Sequence, residues 1–564
     1  MKKTTAGRQR ILAKALRSID EYTGLEQREA QQSGRHFTRL SRRALGIQAN
    51  RAVCCAERLA EPGVLVLNDP VGSGKTLVAL VAARLLLGGH AGAGSRLKKI
   101  VIVAPSRQVA DLWVCRARTV GLNVHRLKPG ERGTRYDVLV VTFGQLSHRL
   151  PDLPKNRDGL LVIVDEAHRS LHNQETQGHK NVRRITEGAR VLLVTATPFQ
   201  LTSNGLENLL EIDGDGARAD LIREYGRAVR DWLLIQHRLG DPRETEDMTR
   251  LEAQSQRARK EMIRRLREAR PDLLRYFMPR YPRSMMGMPK PFEIPEPAAV
   301  DIDADWAQAY HVARILPEFL PAGRREETSP RNSDAYMRML NSSFGAWADS
   351  AVVQHAQRAS RTKELTAQLK DSLGAEPLKH PKVAFTANLA VKNARPNKRR
   401  HVLIFSVYKE TQNDLEKAIN ELVASKGLDG KVRVAKPENL SSARKWLKKG
   451  FNRTPSKDNP PIVMIVRDNL SESIDLDGGT PVVIHHDLSW SPVRWTQRMG
   501  RVIRASTAFQ GPEAKDVHIP LLATDIDERM YGTLRGRDDL TRLVVPDDLR
   551  RLLEETLPDM ADID

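Results

Sequence analysis

The sequence predicts an α/β protein of two lobes, each built on a parallel sheet, with a helical region between them. Three observations carry this. Short apolar runs (VLVL, IVIVAP, VLVVTF, LVIVDEA and VLLVTAT) alternate with helical text from Val64 onward; a second series (HVLIFSV, PIVMIV, PVVIHHDL) begins near His401; and strand signals vanish from about 205 to 375. Strands this apolar suit a sheet covered on both faces, as parallel sheets are.

With 564 residues and 40% hydrophobic content, the chain is long enough for several cores. Composition divides it into a basic helical N-terminal segment (1–45), a first α/β lobe (46–215), a helical insertion or bridging region (216–375), a second α/β lobe (376–540) and a helical C-terminal tail (541–564). The middle region carries charged text such as QSQRARKEMIRRLREARPDLLRYF and a proline-rich break, MPKPFEIPEP.

Lys and Arg total 91 against 70 Asp and Glu, a net charge of +21, so a polyanion is the natural partner. Charge alone does not separate nucleic acid from other anionic surfaces. The stretch ARPNKRRH reads as a solvated basic linker before the second lobe in preference to a nuclear signal. Cys54, Cys55 and Cys115 form no CxxC pair, which leaves neither a zinc site nor a disulfide framework readable and fits a reducing cytoplasm. The longest apolar run, Leu77 to Gly88, is broken by Arg84 and is shorter than the roughly 20 residues of a membrane span. No apolar stretch follows MKKTTAGRQR, so no signal peptide is read; a soluble cytoplasmic protein without a membrane partner is expected.

The first segment with chemistry is DPVGSGKT, Asp69 to Thr76, between the strand VLVL and an apolar helix. Strand, glycine turn and helix N-terminus make a phosphate cradle. Gly72, Ser73 and Gly74 bring backbone N–H groups to the phosphates, Lys75 reaches the β and γ oxygens, and Thr76 ligates Mg²⁺. Asp69 stands where the pattern GxxxxGK[ST] has its first glycine.

Downstream, LVIV ends in Asp165-Glu166-Ala167-His168, two carboxylates at the C-terminal edge of a sheet, where open α/β sheets bind ligands. Asp165 is expected to hold Mg²⁺ and Glu166 to polarise the attacking water. Thr195-Ala196-Thr197-Pro198 closes the strand VLLV with a hydroxyl-rich turn; Thr195 and Thr197, with His168, are expected to relay nucleotide state between the lobes. In the second lobe, Gln497-Arg498-Met499-Gly500-Arg501-Val502-Ile503-Arg504 has a spacing that puts Arg501 and Arg504 on one helix face, aimed at a γ-phosphate. A guanidinium on the transferring phosphoryl contributes on the order of 10³–10⁵ in rate. ATP and Mg²⁺ are the expected cofactors.

Taken in order, DPVGSGKT, VIVAPSRQVADLW, VLVVTFGQL, VDEAH, TATPF, HVLIFSVYKET, SESIDLDGG and QRMGRVIR resemble the motif series of superfamily 2 helicases and ATPases across both lobes. Within that superfamily the chain looks most like the Swi/Snf-type double-stranded DNA translocases, including their bacterial RNA-polymerase-recycling branch. Asp69 before the glycines, HPK at 380–382, the block DLSWSPVRWTQRMGRVIR and the helical text after TATPF carry that finer likeness.

The resemblance implies tandem RecA-like lobes that hydrolyse ATP with a DEAH-type carboxylate pair. It places Gln48, in GIQANRAV, as the adenine reader, although a surface glutamine reads as well. It puts Asp475 at the nucleotide and Gln497 among the catalytic residues, and Ser106, Arg107, Thr142, Ser406, Arg444 and Ser471 on the nucleic-acid face. Two departures stand out: Pro70 replaces an acidic residue and Ser473 replaces a glycine.

The implied function is an ATP-dependent motor on double-stranded DNA, serving antiviral defence, repair or transcription recycling. Single-stranded DNA and RNA stay open as substrates. A strand-separating helicase shares every motif quoted, and an ATP-gated switch controlling a partner such as a nuclease is the reading from another class. No HxKxxxxD pattern or other fused nuclease signature is present, so the basic N-terminal segment and the helical middle are the expected protein-partner surfaces.

Overall fold

The computed structural model describes residues 5–33, 41–69, 72–90, 97–128, 131, 135–148, 153, 157–167, 171, 176–195, 219–239, 248–278, 294–319, 330–358, 362–373, 376–398, 400–468, 476, 481–489, 492–502 and 516–544. Among the expected site residues, His168, Thr197, Ser471, Asp475 and Arg504 lie outside that set, as do Pro70 and Ser473.

In the first lobe, Gly63–Leu67 (β1), Lys99–Ala104 (β2), Val124–Arg126 (β3), Val138–Thr142 (β4), Leu160–Asp165 (β5) and Arg190–Val194 (β6) form a six-stranded sheet in the order β1-β6-β5-β2-β4-β3. Every pairing in it is parallel. The alternation of side chains explains why these strands read as continuous apolar runs. Ile100 and Ile102 enter one core with Leu65, Ile163 and Leu192, whereas Val101 and Val103 enter another with Val66, Val162 and Leu193.

Helices Thr5–Ser33 (α1), Arg42–Arg58 (α2), Lys75–Leu87 (α3) and Arg107–Thr119 (α4) cover the first face, with Ile19, Val53, Leu80 and Trp113 in that core. Phe143–His148 (α5) follows β4, and Gln177–Thr186 (α6) helps to close the second face through Val182 and Ile185. Two long helices, Ala219–Leu239 (α7) and Met248–Tyr276 (α8), add Tyr225, Trp232, Met262 and Leu266 to the same core. After α8 the chain returns to β1, where Met278 N–H donates to Val66 O at 3.0 Å.

The second lobe has its own parallel sheet. Val402–Ser406 (β8), Arg433–Ala435 (β9), Ile462–Arg467 (β10), Val482–His485 (β11) and Val517–His518 (β12) run in the order β12-β11-β8-β10-β9. A separate two-stranded parallel ladder joins Ala298–Val300 (β7) to Pro520–Leu522 (β13).

Ala304–Ile315 (α9), Pro330–Ser342 (α10), Phe344–Ala348 (α11), Ala351–Arg358 (α12) and Lys363–Leu373 (α13) pack on this lobe, where Trp306, Tyr336 and Trp347 share a core with Leu403, Phe405 and Met464. Pro381–Asn393 (α14) and Lys409–Ser425 (α15) cover the opposite face through Val383, Val391, Leu415 and Ile419. Leu440–Trp446 (α16), Pro492–Val502 (α17) and Asp525–Val544 (α18) complete it. The helical text between the two strand series therefore divides its packing, α7 and α8 on the first lobe and α9 to α13 on the second.

The arrangement is two tandem RecA-like lobes with parallel sheets, as the sequence predicts. Among the described residues, no helix is long and apolar enough to cross a membrane.

Candidate active site

Strand order decides where the motifs meet. β1, β6 and β5 are neighbours, and Leu67 and Asp165 both stand level with Val194. The described residues leaving these strands, Asp69, Gly72–Thr76, Asp165–Glu166 and Thr195, are thereby gathered at one sheet edge. Thr195, fully buried, ties two of them together: its N–H donates to Leu67 O at 3.1 Å.

The glycines of the loop are required by its backbone. Gly72 has φ 84° and Gly74 φ 88°, left-handed values that side chains disfavour. A Cβ on Gly74 would lie 2.5 Å from Gln48 Nε2. α3 begins at Lys75, so its first N–H groups and the positive end of its dipole face the loop.

Lys75 Nζ donates to the Asp69 carbonyl at 2.8 Å, and Gln48 Nε2 donates to Ser73 O at 2.9 Å. Gln48 Oε1 and Ser73 Oγ are buried and, among the described residues, have no hydrogen-bond partner. Polar atoms held from water in this way mark where a polar ligand completes the site.

Asp165 and Glu166 meet the loop electrostatically. Desolvation, and then the charge of Glu166 beside it, push the Asp165 carboxyl up to about 6, while the Lys75 ammonium pulls it down. Trp113 on α4 opposes the rise too, its indole Nε1 donating to Asp165 Oδ2 at 2.7 Å. The Glu166 N–H donates to Asp165 Oδ1 at 3.0 Å. A proton and a cation therefore compete for this carboxylate at mildly acidic pH.

Glu166 has φ 47°, the left-handed region, in a side-chain-bearing residue. Such strain persists only where surrounding structure enforces it. The turn takes Glu166 off the direction of β5, with its N–H on Asp165 Oδ1. These residues fit a magnesium nucleotide: Gly72–Thr76 would hold the phosphates, and Thr76 and Asp165 would hold the metal. Bound magnesium would neutralise phosphate charge.

In the second lobe α17 carries Gln497 and Arg501, both half-buried, one helical turn apart. The residue that anchors this helix is Arg498, only 3% exposed. Its Nε and Nη2 donate to Asp468 Oδ1 and Oδ2 at 2.6 and 3.1 Å, and its Nη1 donates to Asp487 O at 2.7 Å. Its guanidinium also lies 5.3 Å from the Phe405 ring centroid. The Leu476 N–H donates to Arg501 O at 3.0 Å, so Leu476 meets the arginine helix through the backbone.

The expected nucleic-acid residues separate by exposure. Arg107, at the start of α4, and Arg444, on α16, are exposed. Ser106 is half-buried and caps α4, its Oγ accepting from Val109 N–H at 3.3 Å. Thr142, at the end of β4, exchanges hydrogen bonds with Gln145. Ser406 is fully buried with its hydroxyl donated to Asp487 Oδ2 at 2.9 Å, so its donor serves the lobe interior instead of solvent.

Sequence reasoning passed over Trp113, Arg51, Asp468 and Arg498. Trp113 lies inside the quoted VIVAPSRQVADLW, but only the fold, which brings α4 within reach of the end of β5, reveals what its N–H touches.

Residues 54–203 match the DEAD/DEAH box helicase family, and residues 382–506 match the helicase conserved C-terminal domain. No curated protein matches the chain. Among solved structures, the Hef helicase domain of Pyrococcus furiosus is 16% identical, with 86% of this chain and 97% of that chain covered and a TM-score of 0.47. The Sulfolobus solfataricus SWI2/SNF2 ATPase core in complex with dsDNA is 14% identical, with 84% and 87% covered and a TM-score of 0.32. S. cerevisiae Dbp5 bound to RNA and ADP BeF3 is 13% identical, with 92% and 94% covered and a TM-score of 0.39. At such scores the likenesses distinguish neither DNA from RNA nor duplex from single strand. The two matches, one in each lobe, are to the two domains of ATP-hydrolysing helicases.

Proposed function

We propose, from a chain that matches these two helicase domains, that it is an ATP-driven double-stranded DNA translocase. The observation that carries the motor is the gathering of Gly72–Thr76, Asp165 and Glu166 at one sheet edge, with a second RecA-like lobe presenting Gln497 and Arg501 on one helix. Duplex DNA is supported by the motif resemblance and by a net charge of +21.

In this reading Lys75 and the loop amides bind the triphosphate, Thr76 and Asp165 bind magnesium, and Glu166 orients the attacking water. Gln48 reads the adenine from α2, while Asp475, Gln497, Arg501 and Arg504 meet the nucleotide from the second lobe. Thr195, Thr197 and His168 relay nucleotide state. Ser106, Arg107, Thr142, Arg444 and Ser471 form the DNA-facing set, in which Arg107 and Arg444 supply exposed charge. Closure of the lobes on ATP and release after hydrolysis become alternating grips on one strand's phosphates.

The domain division proposed with it is 46–215 and 376–540 as motor lobes, 216–375 as a helical insertion or bridging region, 1–45 as a basic helical segment and 541–564 as a tail. The basic segment and helical region are the surfaces offered to a protein partner, in a cytoplasmic, nucleoid-associated setting. Triplex displacement tests the reading. Fuelled by ATP, the protein is expected to strip a third strand from intact duplex without opening a forked duplex. Fork unwinding without triplex displacement would make it a strand-separating helicase instead.

A further inference from the structure

We infer that Arg51 is a positioning residue of the nucleotide site, shaping the phosphate loop through a buried pairing with Asp69. Arg51 and Asp69 are 2% and 1% exposed. The guanidinium pairs bidentately with the carboxylate: Nε donates to Oδ2 at 3.0 Å, and Nη2 donates to Oδ1. An isolated carboxylate so buried would be prohibitively costly, so Arg51 is what allows an acidic residue where the glycine pattern has its first glycine.

The pair is wired to the catalytic lysine. Asp69 uses its side chain on Arg51 and its backbone carbonyl on Lys75 Nζ, at 2.8 Å. Whatever fixes the Asp69 side chain therefore also orients the carbonyl that holds the ammonium. One turn earlier on α2, Gln48 holds the other end of the loop at Ser73 O. Gln48 and Arg51 are spaced i and i+3, so one helix face grips residues 69 and 73 together. The loop is held to α2 at residues 69 and 73.

α2 is itself braced by α1: Arg8 Nη2 donates to Asn50 Oδ1 at 3.1 Å, and Arg8 Nε lies 3.5 Å from Glu57 Oε1. Arginine suits this place because its planar fork satisfies both carboxylate oxygens. A lysine at 51 keeps the charge but supplies a point donor and lets the carboxylate rotate.

This inference rests on reading Gly72–Thr76 as the ATP phosphate cradle. Two variants of the full chain test it, Arg51→Lys and the paired Arg51→Met with Asp69→Leu, which removes both buried charges at once. Each is compared with wild type by calorimetric titration with magnesium ADP, by steady-state ATP turnover and by thermal midpoint. Arg51→Lys is expected to keep the wild-type midpoint, to weaken the ADP Kd and raise the ATP KM by about tenfold, and to hold kcat within about twofold.

The paired variant, where folded, is expected to show at least the same loss of affinity. A wild-type Kd and KM in Arg51→Lys would overturn the inference. So would a folded paired variant with wild-type nucleotide affinity, which would make the pair a purely structural bond. Wild-type protein that neither binds ADP nor turns over ATP would overturn the reading of the cradle itself. Wild-type protein that does both, beside Arg51 variants that match it, sinks only the role of Arg51.

Discussion

Glu166→Gln is expected to leave a protein that binds ATP and does not hydrolyse it. The carboxylate sits at a left-handed turn off β5, next to an Asp165 whose ionised form Trp113 and Lys75 favour against burial and the Glu166 charge. Its assigned task is to orient and deprotonate the attacking water, so an isosteric amide keeps the packing and removes the base. Losses of this kind run on the order of 10²–10⁴-fold in kcat. Phosphate release under saturating ATP measures it, with nucleotide binding by titration as the control. Lys75→Ala is expected to fail earlier, at binding, since it removes the ammonium meant for the β and γ oxygens. Undiminished turnover in either variant would remove these residues from the chemistry.

The largest loss of stability is expected from Arg498→Ala. The guanidinium is buried, joins Asp468 through two nitrogens and closes a third hydrogen bond on Asp487 O. Truncation takes from Asp468 its two-nitrogen partner, leaving Arg494 Nη1 at 3.7 Å, and frees α17, which carries Gln497 and Arg501. Breaking one side of a buried pair costs about 3–5 kcal/mol. For a lobe of this size that corresponds to a drop of roughly 6–20 °C in the transition of the second lobe, read by scanning calorimetry. Arg498→Ala with an unchanged transition would show that the cluster contributes little to stability.

Much of this architecture was legible in the sequence, and the reason is physical. Strands such as IVIVAP and LVIVDEA are buried on both faces, so their apolar character is continuous, and each ends where the sheet edge gathers its functional residues. Asp165, Lys75 and the loop glycines were readable because a phosphate cradle needs those residue types at that spacing.

What was hidden depends on neighbours far along the chain. Arg51 reads as an ordinary polar residue within GIQANRAV, and Asp69 as a departure from a glycine pattern; only the fold shows that each accounts for the other. Ser406 was expected on the nucleic-acid face because the resemblance implied it, yet the Asp487 carboxylate takes its hydroxyl inward. The helical text from 219 to 373 carries no mark of which lobe each helix joins, since amphipathic periodicity gives a buried face without naming its partner.

ATP turnover measured with duplex DNA, single-stranded DNA and RNA as competing stimulators tests the central claim most directly. Duplex DNA is expected to raise turnover above the other two and to keep doing so in their presence, with Glu166→Gln unresponsive to all three. Stimulation by single-stranded DNA or RNA but not by duplex would contradict a duplex translocase, and turnover indifferent to all three would contradict a nucleic-acid motor.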